Sequence, residues 1–168
     1  TRSNAGVRTI VLPAALVSAQ ERATTELVRI SPVADALGHR FTEAGHEIAL
    51  VGGSVRDALL GRLGEDLDFA PSARPEQVEE LVADFAEAVW DIGRDFGTIG
   101  CRIQGVVCEI TTYRTERYDA GSRKPDVVYG TSLDTDLGRR DFTVNAMAVR
   151  LPGTTFVDPY GGLVDLAR

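Results

Sequence analysis

The sequence predicts an α/β domain of the α+β kind, with a small mixed, mostly antiparallel sheet flanked by helices. Three observations predict it. Apolar residues at helical spacing alternate with short β-branched runs, yet no strand–helix–strand unit repeats along the chain. The stretch GTIGCRIQGVVCEITTYR carries a two-residue turn signal, Gln104-Gly105, between two strand-like runs, so it reads as an antiparallel hairpin. The stretch MAVRLPGTTFVDP reads as a second pair of strands around a turn.

The elements follow in order. Residues 1–30 show no clean period and read as an N-terminal arm. Within them TIVLPAALVSAQ faintly resembles a signal peptide, but Pro13 interrupts it and the charged QERATTELVR follows directly, which favours a cytoplasmic chain. From Ser31 the pattern sharpens into one domain, 31–168. Ser31 can cap a helix and Pro32 can take its first position. Val33, Leu37 and Phe41 then repeat at helical spacing, and Gly45 ends the run. EIALVG reads as a strand entering a double glycine. Ser54 is expected to cap a short helix, Val55 to Leu60, with Asp57 as its capping-box partner.

DLDFA reads as a short strand. Pro75 opens an amphipathic helix with Val78, Leu81, Val82, Phe85 and Val89 on one stripe. After the hairpin, YDAGSRKPDVVYGTS is a loop candidate. Asp141 can cap a helix over FTVNAMA, and the chain closes through a further Gly-rich turn, DPYGG.

Composition sets limits. The chain has 168 residues, 43% hydrophobic and 26% charged, which suits one globular domain rather than a disordered segment. No apolar run is long enough to span a bilayer. Cys101 and Cys108 form neither a disulfide framework nor a metal motif. The hairpin should set them opposite each other as reduced thiols on an apolar sheet face. The net charge of −7 argues against a dedicated nucleic-acid binder. Yet Arg114, Arg117, Arg123, Lys124, Arg139 and Arg140 cluster along the chain, as a phosphate-facing patch would.

The chemistry concentrates in LVGGSVRDALLGRLGEDLDFA. In a strand, residues two apart share a face, so Asp66 and Asp68 project together, about 7 Å apart. Their charges repel, and a hard cation between them relieves the repulsion; Mg2+ suits such carboxylates together with substrate phosphates. Glu109 adds a third acid in the middle of a β-branched strand. If that strand neighbours DLDFA, the three acids can hold two magnesium ions about 4 Å apart, as in-line phosphoryl transfer requires. At the other end of the stretch, Gly52 and Gly53 leave room for an anion to approach the backbone at a helix start. Ser54 can donate its hydroxyl, and Arg56 can pair with phosphate in a forked contact.

Together GGSVRDALLGR, DLDFA, EITTYR, LGRRDFTVNAMAV and VDPYGGLVDL resemble the nucleotidyltransferase superfamily that includes DNA polymerase β. More narrowly they resemble the head domain of bacterial class II tRNA CCA-adding enzymes and the related bacterial poly(A) polymerases. The resemblance covers roughly residues 47–168, with five motifs in order. It implies a polymerase-β-like nucleotidyltransferase fold. It also implies that Asp66 and Asp68 are the metal-binding pair and Glu109 the third catalytic carboxylate. Gly53, Arg56 and Arg140 match residues that contact the incoming nucleotide. Asp141 and Asn145 lie in the same R-R-D-F-T motif and are placed with the nucleotide-binding residues as supports behind the contact.

The implied reaction adds CMP and AMP, from CTP and ATP, to the tRNA 3′ end. The implied partners are therefore the tRNA 3′ end, ATP and CTP, with no membrane. Two alternatives are a poly(A) polymerase and a non-catalytic nucleotide-binding module. A third, a nucleotidyltransferase acting on a protein or small molecule, fits R-R-D-F-T and D-P-Y-G-G poorly. Poly(A) relatives tend to carry a basic run with Phe where this chain has IGRDFGTIGCRI, with Asp95 in place of a basic residue; this favours CCA addition. The base-selecting E-D-x-x-R motif of the family's neck domain does not occur here. The chain is thus expected to be a head domain without neck, body and tail, and weakly active or inactive alone.

Overall fold

The computed structural model describes residues 14–64, 66–115, 128–153 and 155–167. A long helix α1 (Ala14–Glu43) leads into β1 (Ile48–Val51), α2 (Gly53–Leu59) and β2 (Asp66–Pro71). Then come α3 (Pro75–Val82), β3 (Ala88–Gly93), β4 (Thr98–Ile103) and β5 (Val106–Thr111). The chain ends through α4 (Leu133–Gly138), a 3-10 turn at Thr143–Asn145, β6 (Ala148–Leu151), β7 (Thr155–Val157) and α5 (Gly162–Leu166). The strands form one sheet in the order β3-β4-β5-β2-β1-β6-β7. Only β2 and β5 pair in parallel; the other five pairs are antiparallel. This is the expected mixed, mostly antiparallel sheet with helices.

Side-chain alternation gives the sheet two different faces. Leu67, Phe69, Ile99, Cys101, Cys108 and Ile110 point to one face, where α1, α2 and α3 bury them in the main core. A smaller core lies on the opposite face, where Leu133 and Leu137 of α4 cover Ala49, Val51, Ala70 and Ala148. On the residues beyond that cover, Asp66, Asp68 and Glu109 stand on the same open face as Ala70. The hairpin is as expected: Gln104 and Gly105 have φ of 50° and 78°, as a two-residue turn between twisted strands needs, and Cys101 pairs with Cys108. Both cysteines are free and buried.

Several expectations are corrected. Ser31 and Pro32 do not start a helix, because α1 runs from Ala14 with Pro32 inside it. Ala23, Leu27 and Ile30 are buried in the main core, so residues 14–30 are not a loose arm; residues 1–13 lie outside the described residues. The helix end is as expected: His46 N–H donates to the Phe41 carbonyl and Gly45 N–H to that of Thr42, with Gly45 at φ 84°.

Ser54 does not cap α2. Gly52 takes that position, and Ser54 lies inside the helix. The helix α3 ends at Val82, so Val89 belongs to strand β3 rather than to the helix stripe. Asp141 caps no helix over FTVNAMA, where the chain makes only a 3-10 turn before β6. The terminal Gly-rich turn continues into α5, whose Gly162 and Leu163 N–H groups donate to Asp158. Most of the loop candidate YDAGSRKPDVVYGTS, with Arg123 and Lys124, lies outside the described residues, as does Arg117. No helix among the described residues is long and apolar enough to cross a membrane.

Candidate active site

The parallel pairing of β2 with β5 sets the register of the acids. Asp68 lies directly beside Glu109, and Asp66 beside Val107. Neighbouring strands are about 5 Å apart, so Asp66, Asp68 and Glu109 share one patch of the open face. Asp66 and Glu109 are exposed and Asp68 is half-buried. The Asp68 carboxyl is raised above its ordinary value. Burial contributes most, followed by the negative charge of Glu109; Arg140 acts in the opposite direction, while Asp66 and Asp57 add to the rise. Among the described residues, no three acid, His or Cys side chains are gathered tightly enough to hold a metal as they stand. The donor set nevertheless suits a hard divalent cation: it consists of carboxylates held on adjacent strands, with Glu109 and Asp66 both disfavouring the charge on Asp68.

The residues expected to face phosphate sit next to these acids. Gly52 follows β1 with φ 62°, a conformation that glycine adopts without strain. A Cβ there would meet Arg140 Nη1 at 2.8 Å, so only a glycine lets that guanidinium come so close. Its backbone N–H donates to the Met147 carbonyl. Gly53 opens the helix beside Arg56, whose Nη2 would lie 3.2 Å from a Cβ added there. Arg56 donates through Nη1 to Asn145 Oδ1 at 2.9 Å and through Nε to Asp57 Oδ1 at 3.2 Å. Asn145 thereby holds Arg56 across the fold. Asp141 is exposed, and no hydrogen bond among the described residues joins it to the others.

Two residues have roles the sequence did not reveal. Ser54 is buried inside α2, and its Oγ accepts a hydrogen bond from the Asp68 backbone N–H at 2.9 Å. It joins the glycine turn to the acid strand. Asp136 is fully buried and collects the arginines. Its Oδ1 accepts from the Arg114 N–H at 2.9 Å and from Arg139 at 3.1 Å, and its Oδ2 accepts from Arg140 Nη2 at 3.1 Å. The clue was present in LDTDLGRR, where an acid precedes two arginines by three and four positions. The Nε atoms of Arg114 and Arg140 are buried without a hydrogen-bond partner among the described residues. Of the expected basic cluster, then, Arg114, Arg139 and Arg140 do gather, around one carboxylate.

The chain has clear relatives. Residues 48–168 match the family described as the poly A polymerase head domain. The chain is 42% identical over 131 residues to a CCA-adding enzyme from Bacillus pumilus, covering 77% of this chain and 32% of that protein. It is 47% identical over 125 residues to one from Lactobacillus helveticus, covering 74% and 30%. Among solved structures it is similar to the Bacillus stearothermophilus CCA-adding enzyme in complex with CTP, with TM-score 0.64 and 37% identity over 78% of this chain and 30% of that one. It is also similar to a tRNA nucleotidyltransferase complexed with a primer tRNA and an incoming ATP analog, with TM-score 0.61 and 35% identity, covering 77% and 36%. The chain therefore spans about a third of the length of the proteins it matches.

Proposed function

Because the chain belongs to the poly A polymerase head domain family, we propose that it is the catalytic head of a CCA-adding tRNA nucleotidyltransferase. It transfers CMP and AMP from CTP and ATP to the 3′ end of tRNA, and a cytoplasmic location goes with that substrate. One observation carries the reading: Asp68 stands beside Glu109 while its own backbone is tied by Ser54 to the glycine turn. Acids and phosphate-side residues are thus parts of one rigid site.

Asp66, Asp68 and Glu109 are the catalytic carboxylates and would hold magnesium. Bound there, magnesium supplies charge that favours ionisation of the attacking ribose hydroxyl and stabilises the leaving pyrophosphate. The protein's own work is positioning. Gly52 and Gly53 leave the backbone accessible to phosphate. Arg56 and Arg140 pair with phosphate oxygens through planar guanidinium groups. Asn145 and Asp136 keep those two arginines in place. Asp141 borders this group.

The test incubates the full-length protein with tRNA lacking its 3′ end, with CTP and ATP offered separately and together. We expect CCA addition, and we expect Asp68→Ala to abolish it while the circular dichroism of the fold is unchanged. Normal incorporation by Asp68→Ala would sink the assignment. A long A tail on generic RNA would instead identify a poly(A) polymerase.

A further inference from the structure

The open face of the sheet carries a feature that the acids and arginines do not use. Trp90 of β3 pairs with Gly100 of β4, Gly100 pairs with Glu109 of β5, and Glu109 lies beside Asp68 of β2. These four residues form one row across the sheet. Gly100 is the gap in that row. A Cβ at Gly100 would meet the indole of Trp90 at 2.3 Å (Nε1) and 2.6 Å (Cε2), and Ile92 Cδ1 at 2.8 Å. The indole therefore lies across the glycine, on the same face as the acids, with Ile92 beside it. Ile92 is 47% exposed and Trp90 is half-buried, so the aromatic ledge is open to solvent at the sheet edge. By strand spacing the ledge is about 5 Å from the strand of Glu109 and about 10 Å from that of Asp68.

Its position relative to the phosphate-side residues gives it a direction. Gly52 follows β1, on the opposite side of the β2–β5 acids from β4 and β3. Phosphoryl transfer runs roughly in line, with the attacking and leaving oxygens on opposite sides of the phosphorus. If the triphosphate lies toward Gly52 and Arg140, the acceptor hydroxyl arrives from the side of β4 and β3. A strand end arriving there brings its terminal base onto the indole. Arg102, exposed on the same face of β4 two residues from Gly100, offers a cation to the backbone phosphate that precedes that base.

We propose that Trp90, seated over Gly100, is the stacking platform for the 3′-terminal nucleobase of the acceptor RNA, with Arg102 as its phosphate contact. The proposal rests on the reading that the acids transfer a nucleotide to an RNA end. Stacking fits this task because every base presents a π-face; the platform holds the end in place and leaves base choice to other groups. Trp90 positions the acceptor and takes no part in bond making.

The experiment uses the fact that Trp90 is the only tryptophan in the chain. A short single-stranded RNA with a free 3′ hydroxyl and a fluorescent 5′ label is titrated into this 168-residue chain. Indole emission and label anisotropy are read together, and CTP binding is measured separately by calorimetry. We expect saturable quenching of Trp90 that tracks RNA binding. Trp90→Leu should weaken RNA binding about tenfold or more, Trp90→Phe should recover most of the loss, and neither should change CTP affinity. RNA that binds without quenching, or that binds Trp90→Leu as well as the parent, overturns the platform while leaving the nucleotidyltransferase reading in place. A parent protein that binds neither CTP nor RNA overturns both.

Discussion

Ser54 shows how much one hydroxyl can decide. Its Oγ accepts the Asp68 backbone N–H at 2.9 Å in a part-buried setting. Ser54→Ala removes the acceptor of this part-buried N–H, at a cost of about 1–3 kcal/mol. Urea unfolding of the variant should show that loss, and CTP incorporation should fall as well, because Asp68 is no longer fixed relative to the glycine turn. A variant as stable and active as the parent would contradict the assigned role. Asp68 itself makes a pH-dependent prediction. Its carboxyl is raised in the folded state, mainly by burial and then by Glu109. The folded protein therefore holds this proton more tightly than the unfolded chain does. The stability it contributes is present at acid pH and is lost as pH rises through the raised value. Asp68→Asn should thus melt higher than the parent at pH 7 without divalent ions, and the difference should shrink toward pH 4. An equal difference at both values would rule out the carboxylate charge as its cause.

The elements show where sequence reasoning succeeds and where it fails. The strands around the acids were legible because a period of two and a Gln-Gly turn leave few alternatives; the Cys101–Cys108 pairing follows from them. Ser54 satisfies the capping rule as a serine before an apolar run, whereas its actual partner, Asp68, is distant in sequence. Val89 fits a helix stripe equally well, and only pairing with β4 makes it a strand residue. The first half of α1 was hidden by Pro32, although Ala23, Leu27, Ile30, Ala34, Leu37 and Phe41, all buried, recur in alternating steps of four and three. That half has a purpose: Arg22 Nε and Arg29 Nη2 donate to the Leu59 and Leu63 carbonyls, clamping the end of α2 away from the site. Further along α1, Gly38 lies against the turn after β6. A Cβ there would meet the Pro152 backbone at 2.8 Å. In an isolated helix Gly→Ala gains about 1 kcal/mol. Here Gly38→Ala should instead destabilise the fold by about 1–3 kcal/mol through overpacking, measurable by chemical unfolding.

At the scale of the molecule, the sheet separates stability from chemistry. One face is buried under α1, α2 and α3, and the other carries the acids, with α4 closing one end of it. Asp136 connects these roles, since it lies buried on α4 and holds Arg139, Arg140 and the Arg114 backbone. Asp136→Ala strands buried guanidinium charge and should cost about 3–5 kcal/mol. It should also weaken CTP binding in the fraction that remains folded, because Arg140 loses its anchor beside Gly52. Calorimetry on the variant below its melting temperature checks the second effect separately from the first.

The parallel pairing of β2 with β5 also has a consequence for the order of assembly. The turn at Gly52 and the helix after it are built from contiguous chain, but Asp68 and Glu109 become neighbours only after α3, β3 and β4 have been laid down between them. Such a distant pairing forms late, since the intervening loop must be closed before the contact rewards it. A nascent chain therefore carries Gly52, Gly53 and Arg56 before it has both carboxylates side by side, and it gains Arg140 and the Asn145 that holds Arg56 only after them. The two halves of the proposed site therefore come together only with the finished sheet, β6 included, because β6 pairs with the strand that leads into Gly52.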